Sequence, residues 1–429
     1  MGKAVEADIV IVGAGMVGMT LACLIAPSGL NIKVLESRPL NLDDATELEK
    51  QQREQGFDPR VSALTAASQQ VLTVAGAWPL MQQMRVSPYT AMDVWDGEGT
   101  GNIQFNSADL HEPYLGHIVE NRVTLAALYK ASLAWENIQV LGDAQLVSLS
   151  EPLNDADGHS VRTLVLADGK QLETPLVIAA DGALSRTRQL AGISMWEWDY
   201  GHHAIVTTVQ SEQHNQATCW QRFTEDGPVA LLPLQEIPGE SSAKFSSIVW
   251  STSPDHAKEL MALDDVQFCR QLENAVEGRL GAFQWSDRRF VFPLRQRHAM
   301  QYVKPGFAAI GDAAHTIHPL AGQGVNLGLM DAAALAEVII KAVVANEAWG
   351  CEFILRRFQR MRRGENLQMA ATMQGFKQLF DSTLPVARLL RNVGMGLMNR
   401  TPLIKNHLVQ QAMGLSGDLP EMARRPIKE

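Results

Sequence analysis

Three separated stretches of this chain carry residue types from which chemistry can be argued. The first is Gly13-Ala14-Gly15-Met16-Val17-Gly18, preceded by the β-branched run Ile9-Val10-Ile11-Val12 and followed, beyond a second apolar run, by Glu36. Gly13 permits a tight turn, Gly15 lets backbone approach a pyrophosphate, and Gly18 lets a helix pack closely on a strand. Free N–H groups at the start of that helix attract phosphate, and Glu36 can accept hydrogen bonds from ribose hydroxyls. An acid there disfavours a 2′-phosphate, so NADP is not expected in this pocket. The glycine pattern alone is a weak signal; the flanking strand, helix and acid give it weight.

The second stretch runs Val177-Ile178-Ala179-Ala180-Asp181-Gly182-Ala183-Leu184-Ser185-Arg186-Thr187-Arg188. A buried strand ends at an Asp-Gly turn and a helix follows; read alone, this is ordinary punctuation. The third runs from Ala308-Ala309-Ile310-Gly311-Asp312 through His315, His318 and Pro319 to Gly322-Gln323-Gly324-Val325-Asn326. Asp312, at a strand's carboxyl end, is placed to bind a polyol chain. The N–H groups of Gly324, Val325 and Asn326 open a helix and can stabilise negative charge on a bound ring system. His315 and His318 read as capping or core histidines at least as readily as functional ones. No third ligand sits at helical spacing, so no metal is expected.

The elements that position these stretches follow from local patterning. Residues 8–12 and 31–35 read as parallel strands around a helix over 15–26, an opening βαβ unit. Residues 9–32 carry no charge and are long enough to suggest a membrane span. The short β-branched run, the glycines, Pro27 and the upstream acids Glu6 and Asp8 argue instead for strand, turn and helix. The acidic stretch 41–58 reads as a surface loop or short exposed helix. Residues 61–75 and 123–135 read as helical, and 91–95 and 103–105 as strands. Short β-rich runs at 164–166, 204–209, 229–232 and 247–250 suggest a second, mostly antiparallel sheet. A buried strand returns at 307–310, and a long helix begins near 324.

Composition bounds the rest. The chain has 429 residues, 46% apolar and 20% charged, with 37 Lys+Arg against 47 Asp+Glu. That is the balance of a globular protein. A net charge of −10 argues against nucleic acid as a partner. Cys23, Cys219, Cys269 and Cys351 are scattered, without a metal-binding or disulfide pattern, which suits a reducing compartment. The charge is uneven: residues 351–429 hold 13 basic against 6 acidic residues and read as a basic helical segment, whereas residues 1–350 hold 24 against 41.

Taken together, the three stretches in this order and spacing resemble the group A FAD-dependent aromatic hydroxylases, and the whole chain, from about Asp8 to Gly414, resembles their ubiquinone-biosynthesis branch. The resemblance implies an α/β fold. In it an FAD-binding Rossmann-like domain (1–90, 110–190 and 295–350) is interleaved with an antiparallel-sheet substrate domain (91–109 and 191–294), and a C-terminal helical segment (351–429) follows. It implies FAD held by Gly13, Gly15, Gly18 and Glu36 at the ADP half. Asp181 and Gly182, with Ser185 and Arg188 in family spacing, form a motif shared between flavin and nicotinamide contacts. Gly311 and Asp312 meet the ribityl chain, and Gly322, Gln323, Gly324, Val325 and Asn326 the flavin ring. Arg60 and Arg122 match arginines beside the cofactor, and Pro319 lies where the loop meets substrate. The implied activity uses O2 and an external reductant, with NAD(P)H one candidate, to form a flavin C4a-hydroperoxide that hydroxylates an electron-rich aromatic ring. His203, Tyr200 and the Pro319 carbonyl are candidates for favouring phenolate character. Within the branch, His117-Ile118-Val119-Glu120-Asn121, Trp198-Asp199-Tyr200-Gly201-His202-His203 and Gln411-Ala412-Met413-Gly414-Leu415 look most like the enzyme that hydroxylates C5 of a polyprenylphenol.

A polyprenylated substrate implies a membrane source. The expected location is cytoplasmic, with peripheral contact to the inner face of the cytoplasmic membrane, or to a ubiquinone-biosynthesis protein complex, through 376–414. A helical cap packed on the FAD domain is the alternative for that segment. Rival activities are a soluble phenol or hydroxybenzoate hydroxylase and a non-catalytic flavin-binding subunit. A flavin halogenase is disfavoured: Asp199-Tyr200 follows Trp196-Glu197-Trp198, and no lysine lies between Lys50 and Lys130.

Overall fold

The computed structural model describes residues 7–40, 56–97, 99–154, 160–236, 243–317 and 324–381, together with 401, 405–406, 410, 413–415 and 417–426. Ile9–Val12, Ile32–Leu35, Leu176–Ala179 and Phe307–Ala309 are short and almost wholly buried. Strands covered on both faces need continuous apolar runs, and these have them. They lie side by side in a six-stranded sheet, with Phe307–Ala309, Leu176–Ala179, Ile9–Val12, Ile32–Leu35 and Ile138–Leu141 in that spatial order. All four pairings are parallel, and Val12 stands opposite both Ala179 and Leu35, with Ala179 opposite Ala309. The chain therefore leaves four neighbouring strands at one level, and the loops after them emerge at one edge.

Helix Met16–Ile25 packs on this sheet, against helix Gly324–Val344 and against Asn121–Ser132. Gly13 makes the first turn possible. Its φ is +110°, and an added Cβ would stand 2.4 Å from the Ala180 carbonyl oxygen. The Gly13 N–H donates to Leu35 O at 2.8 Å, closing the turn onto the next strand.

A nine-stranded sheet forms the second layer. Met195–Ser211 lies between Phe290–Ala299 and Phe245–Thr252, both antiparallel, and Gly227–Leu234 and Thr218–Thr224 continue outward. Ala91–Asp96 joins in parallel with Thr218–Thr224. One face of this sheet carries Ile205, Val209, Ile248 and Trp250, buried beneath helices Pro254–Ala262 and Asp265–Ala275. The other face carries Ala204, Tyr200, Leu294 and Val249.

The structure corrects three local expectations. Residues 61–75 are not one helix. Val61–Leu64 is a strand paired with Gly116–Glu120, and the helix begins at Ala66. Thr65 makes the break: its backbone is extended, and its hydroxyl caps the helix by accepting from Ser68 N. Residues 164–166 do not belong to the large sheet; Ser160–Leu166 pairs with Leu146–Leu149 and Gln171–Thr174 in a small separate sheet. Phe290–Ala299 is a single strand that crosses the expected domain boundary at 294/295, so the two domains share it. The stretch 41–55 lies outside the described residues.

Gly13→Ala is expected to destabilise the fold by about 2 kcal/mol or more, because backbone strain and a main-chain clash combine. Gly29→Ala, also at positive φ but with open space around it, costs about 1 kcal/mol. Urea midpoints of the two variants against the parent check this order.

Candidate functional site

The edge where the four strands end gathers all three sequence stretches. At the first strand, Gly15 precedes helix Met16–Ile25 without a side-chain cap or an acid in the first turn. The helix's leading N–H groups thus keep their capacity for an anion. An added Cβ at Gly15 would meet nothing within 4 Å, whereas one at Gly18 would stand 2.1 Å from Gly13 O. Gly18 is required for packing, and Gly15 borders open space. Glu36 follows the neighbouring strand, and its Oε2 accepts from Ala14 N at 3.3 Å. Its Oε1 accepts from Arg38 N at 3.1 Å, which fixes the carboxylate beside the glycine turn.

At the second strand, the Asp181 carboxylate is occupied by its own loop. It accepts from the Ser185 hydroxyl and from Thr187 N and Oγ1 at 3.0 and 2.8 Å. Gly182, at φ +83°, makes the turn, and Ser185 caps helix Arg186–Leu190. Arg188 then reaches across to the third stretch, donating from Nη1 to Ala313 O at 2.9 Å. Its Nε is buried without a partner among the described residues.

At the third strand, Gly311 turns with φ +57°, and its N–H donates to Asp331 Oδ2 at 3.1 Å. Asp312 follows. Its side chain is accessible. Burial pushes its carboxyl above the ordinary range, opposed by the charges of His315 and Arg297. Among the described residues nothing donates to it. A carboxylate acceptor without a protein donor suits a polyol chain.

Helix Gly324–Val344 begins at the same edge, and an added Cβ at Gly324 would meet nothing within 4 Å. The Asn326 side chain is turned inward. It accepts from Thr65 N and Ser68 Oγ at 3.1 and 2.7 Å and donates to Ala63 O at 2.8 Å. It therefore locks the 63–68 turn and leaves backbone N–H groups as this helix's contribution. Gly322, Gln323 and Pro319 lie outside the described residues. Arg122 donates to Glu120 Oε1 at 2.8 Å and to Gly56 O, holding the 56–60 loop, while Arg60 is exposed at its rim. Open glycines at two helix starts, a ribose acceptor at Glu36 and a free polyol acceptor at Asp312 fit the expected flavin nucleotide.

The proposed substrate residues are not gathered in the same way. Tyr200 is buried, and its hydroxyl donates to Gln296 Oε1 on the adjacent strand. Trp198 stands opposite Gln296, and Ala204 opposite Phe292, so Trp198, Tyr200, Ala204, Phe292 and Leu294 belong to one face. Trp198 and Phe292 are partly exposed there. His203 stands opposite Thr252 and two residues from Ile205, on the face beneath the helices. Tyr200 and His203 therefore stand on opposite faces of the sheet, and of the two only Tyr200 shares a face with Trp198 and Phe292. The register shift between Asp199 and His203 sets four residues against two, an even offset, so strand alternation alone puts residues 200 and 203 on opposite faces.

Sequence reasoning also passed over Asp331, Arg362, Asn366 and Tyr302, which form a buried polar cluster under Gly311. One signal was present: Asp331 is a lone charge in the otherwise uncharged run 324–336. His315 is a core histidine paired with it. Burial would raise the Asp331 carboxyl, but His315, then Arg362 and Asn366, hold it down to about 2.

Over residues 6–352 the sequence matches the FAD binding domain family. It is 37% identical over 408 residues to the 3-demethoxyubiquinol 3-hydroxylase of Escherichia coli (strain K12), covering 95% of this chain and 98% of that protein. It is 33% identical over 439 residues to the mitochondrial ubiquinone biosynthesis monooxygenase COQ6 of Xenopus tropicalis, covering 94% of this chain and 92% of that protein. Among solved structures, p-nitrophenol 4-monooxygenase PnpA from Pseudomonas putida DLL-E4 aligns with a TM-score of 0.74 at 17% identity, covering 96% of this chain and 98% of that chain, a likeness of fold.

Two measurements probe this site. Gly15→Ala is expected to leave the apo-protein's melting midpoint within a few degrees of the parent, about the effect of a few tenths of a kcal/mol, yet to weaken FAD binding by about tenfold or more. A titration of FAD against apo-protein, read by flavin fluorescence, checks it. The second is pH. His298 is lowered to about 4 by burial, His315 and Arg363, and His117 to about 4 by burial and Arg425. Both refuse protons that the unfolded chain accepts, so stability is full above about pH 6.5 and falls as pH drops toward 4. His298→Asn should shallow that slope by about one proton in urea unfolding at several pH values.

Proposed function

The chain belongs to the FAD binding domain family, and from that premise we propose that it hydroxylates the aromatic ring of a polyprenylated phenol or quinol in ubiquinone biosynthesis. It is an FAD-dependent monooxygenase that uses O2 and an external reductant. The observation that carries the pathway is end-to-end similarity at 37% identity to a protein named for that chemistry, with 98% of its length covered.

Reduced FAD, when bound, supplies the activation of O2, and one oxygen atom goes to the ring. This chain's residues do the rest. Gly13, Gly15, Gly18 and Glu36 seat the ADP half, Asp312 accepts from the ribityl hydroxyls, and the first N–H groups of helix Gly324–Val344 face the ring system. Asp181 and Gly182 shape the loop between them, and Arg188 ties that loop to Ala313. Arg60, in the 56–60 loop, and Arg122, which holds that loop from helix Asn121–Ser132, would flank the cofactor.

The sheet face bearing Trp198, Tyr200, Ala204, Phe292 and Leu294 supplies the substrate wall. It carries aromatic and apolar side chains, with the polar pair Tyr200 and Gln296 among them. The aromatic and apolar side chains of such a surface suit a ring with a hydrocarbon tail. The Tyr200–Gln296 pair is the candidate partner for the substrate hydroxyl, and Pro319 remains the candidate loop contact.

Two ring positions are carried forward. Likeness of the Trp198–His203 stretch supports C5 of a polyprenylphenol. Similarity to the 3-demethoxyubiquinol 3-hydroxylase favours a later, demethoxylated quinol ring. The His117–Asn121 stretch does not choose between them. His117 is packed between Trp78 and Tyr114, and Glu120 is bound to Arg85 and Arg122, so their roles are internal. Delivery of a polyprenylated substrate calls for peripheral contact with a membrane or a pathway protein. The 376–414 stretch proposed for that contact lies largely outside the described residues, and among the described residues no helix is long and apolar enough to cross a membrane.

Deleting the gene should make its host accumulate a polyprenylated intermediate lacking one ring hydroxyl, and mass spectrometry of that compound reads the position. The parent gene should restore the quinone and Gly15→Val should not. Restoration by the flavin-free variant would favour a scaffold role, and unchanged quinone in the deletion would favour catabolism of a soluble phenol.

A further inference from the structure

Beneath the Gly311–Asp312 turn lies a polar cluster that no cofactor contact explains. Asp331, on helix Gly324–Val344, is completely buried. Its Oδ2 accepts from Gly311 N and from His315 Nε2. Its Oδ1 accepts from Arg362 Nε at 2.9 Å and Asn366 Nδ2 at 3.1 Å. Both of those residues lie on the C-terminal helix Glu352–Asp381, and both are buried. Arg362 also donates to Asn366 Oδ1 at 3.0 Å and to Glu365. Asn366 donates to the Tyr302 hydroxyl at 3.3 Å, and Gln359 of the same helix accepts from Tyr302 N at 2.7 Å.

An ion pair this deeply buried is a poor source of stability, because taking both charges from water costs about as much as their attraction returns. Well-packed apolar residues would hold the helix equally well. What the cluster adds is direction. One carboxylate oxygen receives the cofactor turn, and the other receives the C-terminal helix. The Gly311 N–H sets the position from which the next residue, Asp312, presents its free carboxylate.

We propose that Asp331 is a positioning residue for the flavin, and that Arg362 and Asn366 couple the seating of the C-terminal helix to the geometry of the Gly311–Asp312 turn. The cofactor turn takes its binding form with that helix docked, and loosens when the helix shifts. The proposal rests on the reading of Asp312 as the acceptor for the ribityl chain. It makes the C-terminal helix, outside the family match that ends at residue 352, a part of the cofactor site.

The test compares full-length variants stripped of flavin and titrated with FAD. Arg362→Met removes the charge and the fork while keeping bulk. Phe358→Leu, on the same helix and packed on the Tyr302 ring but with no side-chain hydrogen bond to the cluster, is the control for loss of packing without loss of the polar link. The coupling predicts that Arg362→Met weakens FAD by about tenfold or more, within the usual range of coupling between sites, and alters the visible circular dichroism of bound flavin at saturation. Phe358→Leu, matched for loss of urea stability, should bind FAD as the parent does with an unaltered spectrum. Arg362→Lys should recover part of the affinity. If Arg362→Met does not fold, Asn366→Ala, a milder cut of the same link, should show the same direction. Equal weakening by Arg362→Met and Phe358→Leu, or parental affinity and spectrum in both Arg362→Met and Asn366→Ala, overturns the coupling. A parent that binds no FAD would instead overturn the underlying flavin reading.

Discussion

The parallel pairing of four short buried strands is the constraint on which everything else depends. Val12, Leu35, Ala179 and Ala309 end at one level because their ladders are in register. Each strand is then followed by a residue set suited to a single role, in turn a glycine turn, an acid, an Asp-Gly turn and a Gly-Asp turn. None of these sets is specific by itself. Register converts them into one site, since ligands of open parallel sheets bind outside the carboxyl ends of the strands. A slip of one residue in any ladder would turn its buried side chains to the other face and move its loop out of line.

The second sheet depends on the first through shared chain. Phe290–Ala299 carries the face of Phe292 and Leu294 proposed to meet substrate, then passes Gln296 and His298 toward the turn at Gly311. His315–Thr316 pairs back onto the same strand. The cofactor turn is therefore clasped between the substrate sheet and helix Gly324–Val344, with Arg188 fastening it from the side. Such an arrangement leaves little freedom at the reacting centre, which is what positioning chemistry and excluding water require.

Much of the backbone that shapes the candidate site was legible because its signals are local. A tight turn asks for glycine at a given position, so Gly13, Gly15 and Gly18 declare themselves, as do strands buried on both faces. What escaped was non-local. The 61–75 stretch has helical apolar spacing throughout, and only the capping geometry at Thr65 and pairing with Gly116–Glu120 divide it. Tyr200 and His203 are near in sequence, but three residues apart in a strand they fall on opposite faces. Asn326 offered its backbone to the site while its amide was committed to Ala63, Thr65 and Ser68. Asp331 was a visible anomaly in an apolar helix, yet its partners arrive from 16 to 35 residues away. Spacing patterns carry no information about such partners.

The measurement closest to the central claim is a crystal structure of the protein with FAD. The account predicts the adenosine ribose against Glu36, the pyrophosphate over Gly15 at the start of helix Met16–Ile25, and the ribityl hydroxyls within hydrogen-bond distance of Asp312. The flavin ring should lie between Gly324 and the sheet face that carries Tyr200. A flavin bound elsewhere, or one whose ribityl chain leaves Asp312 without a partner, would contradict it.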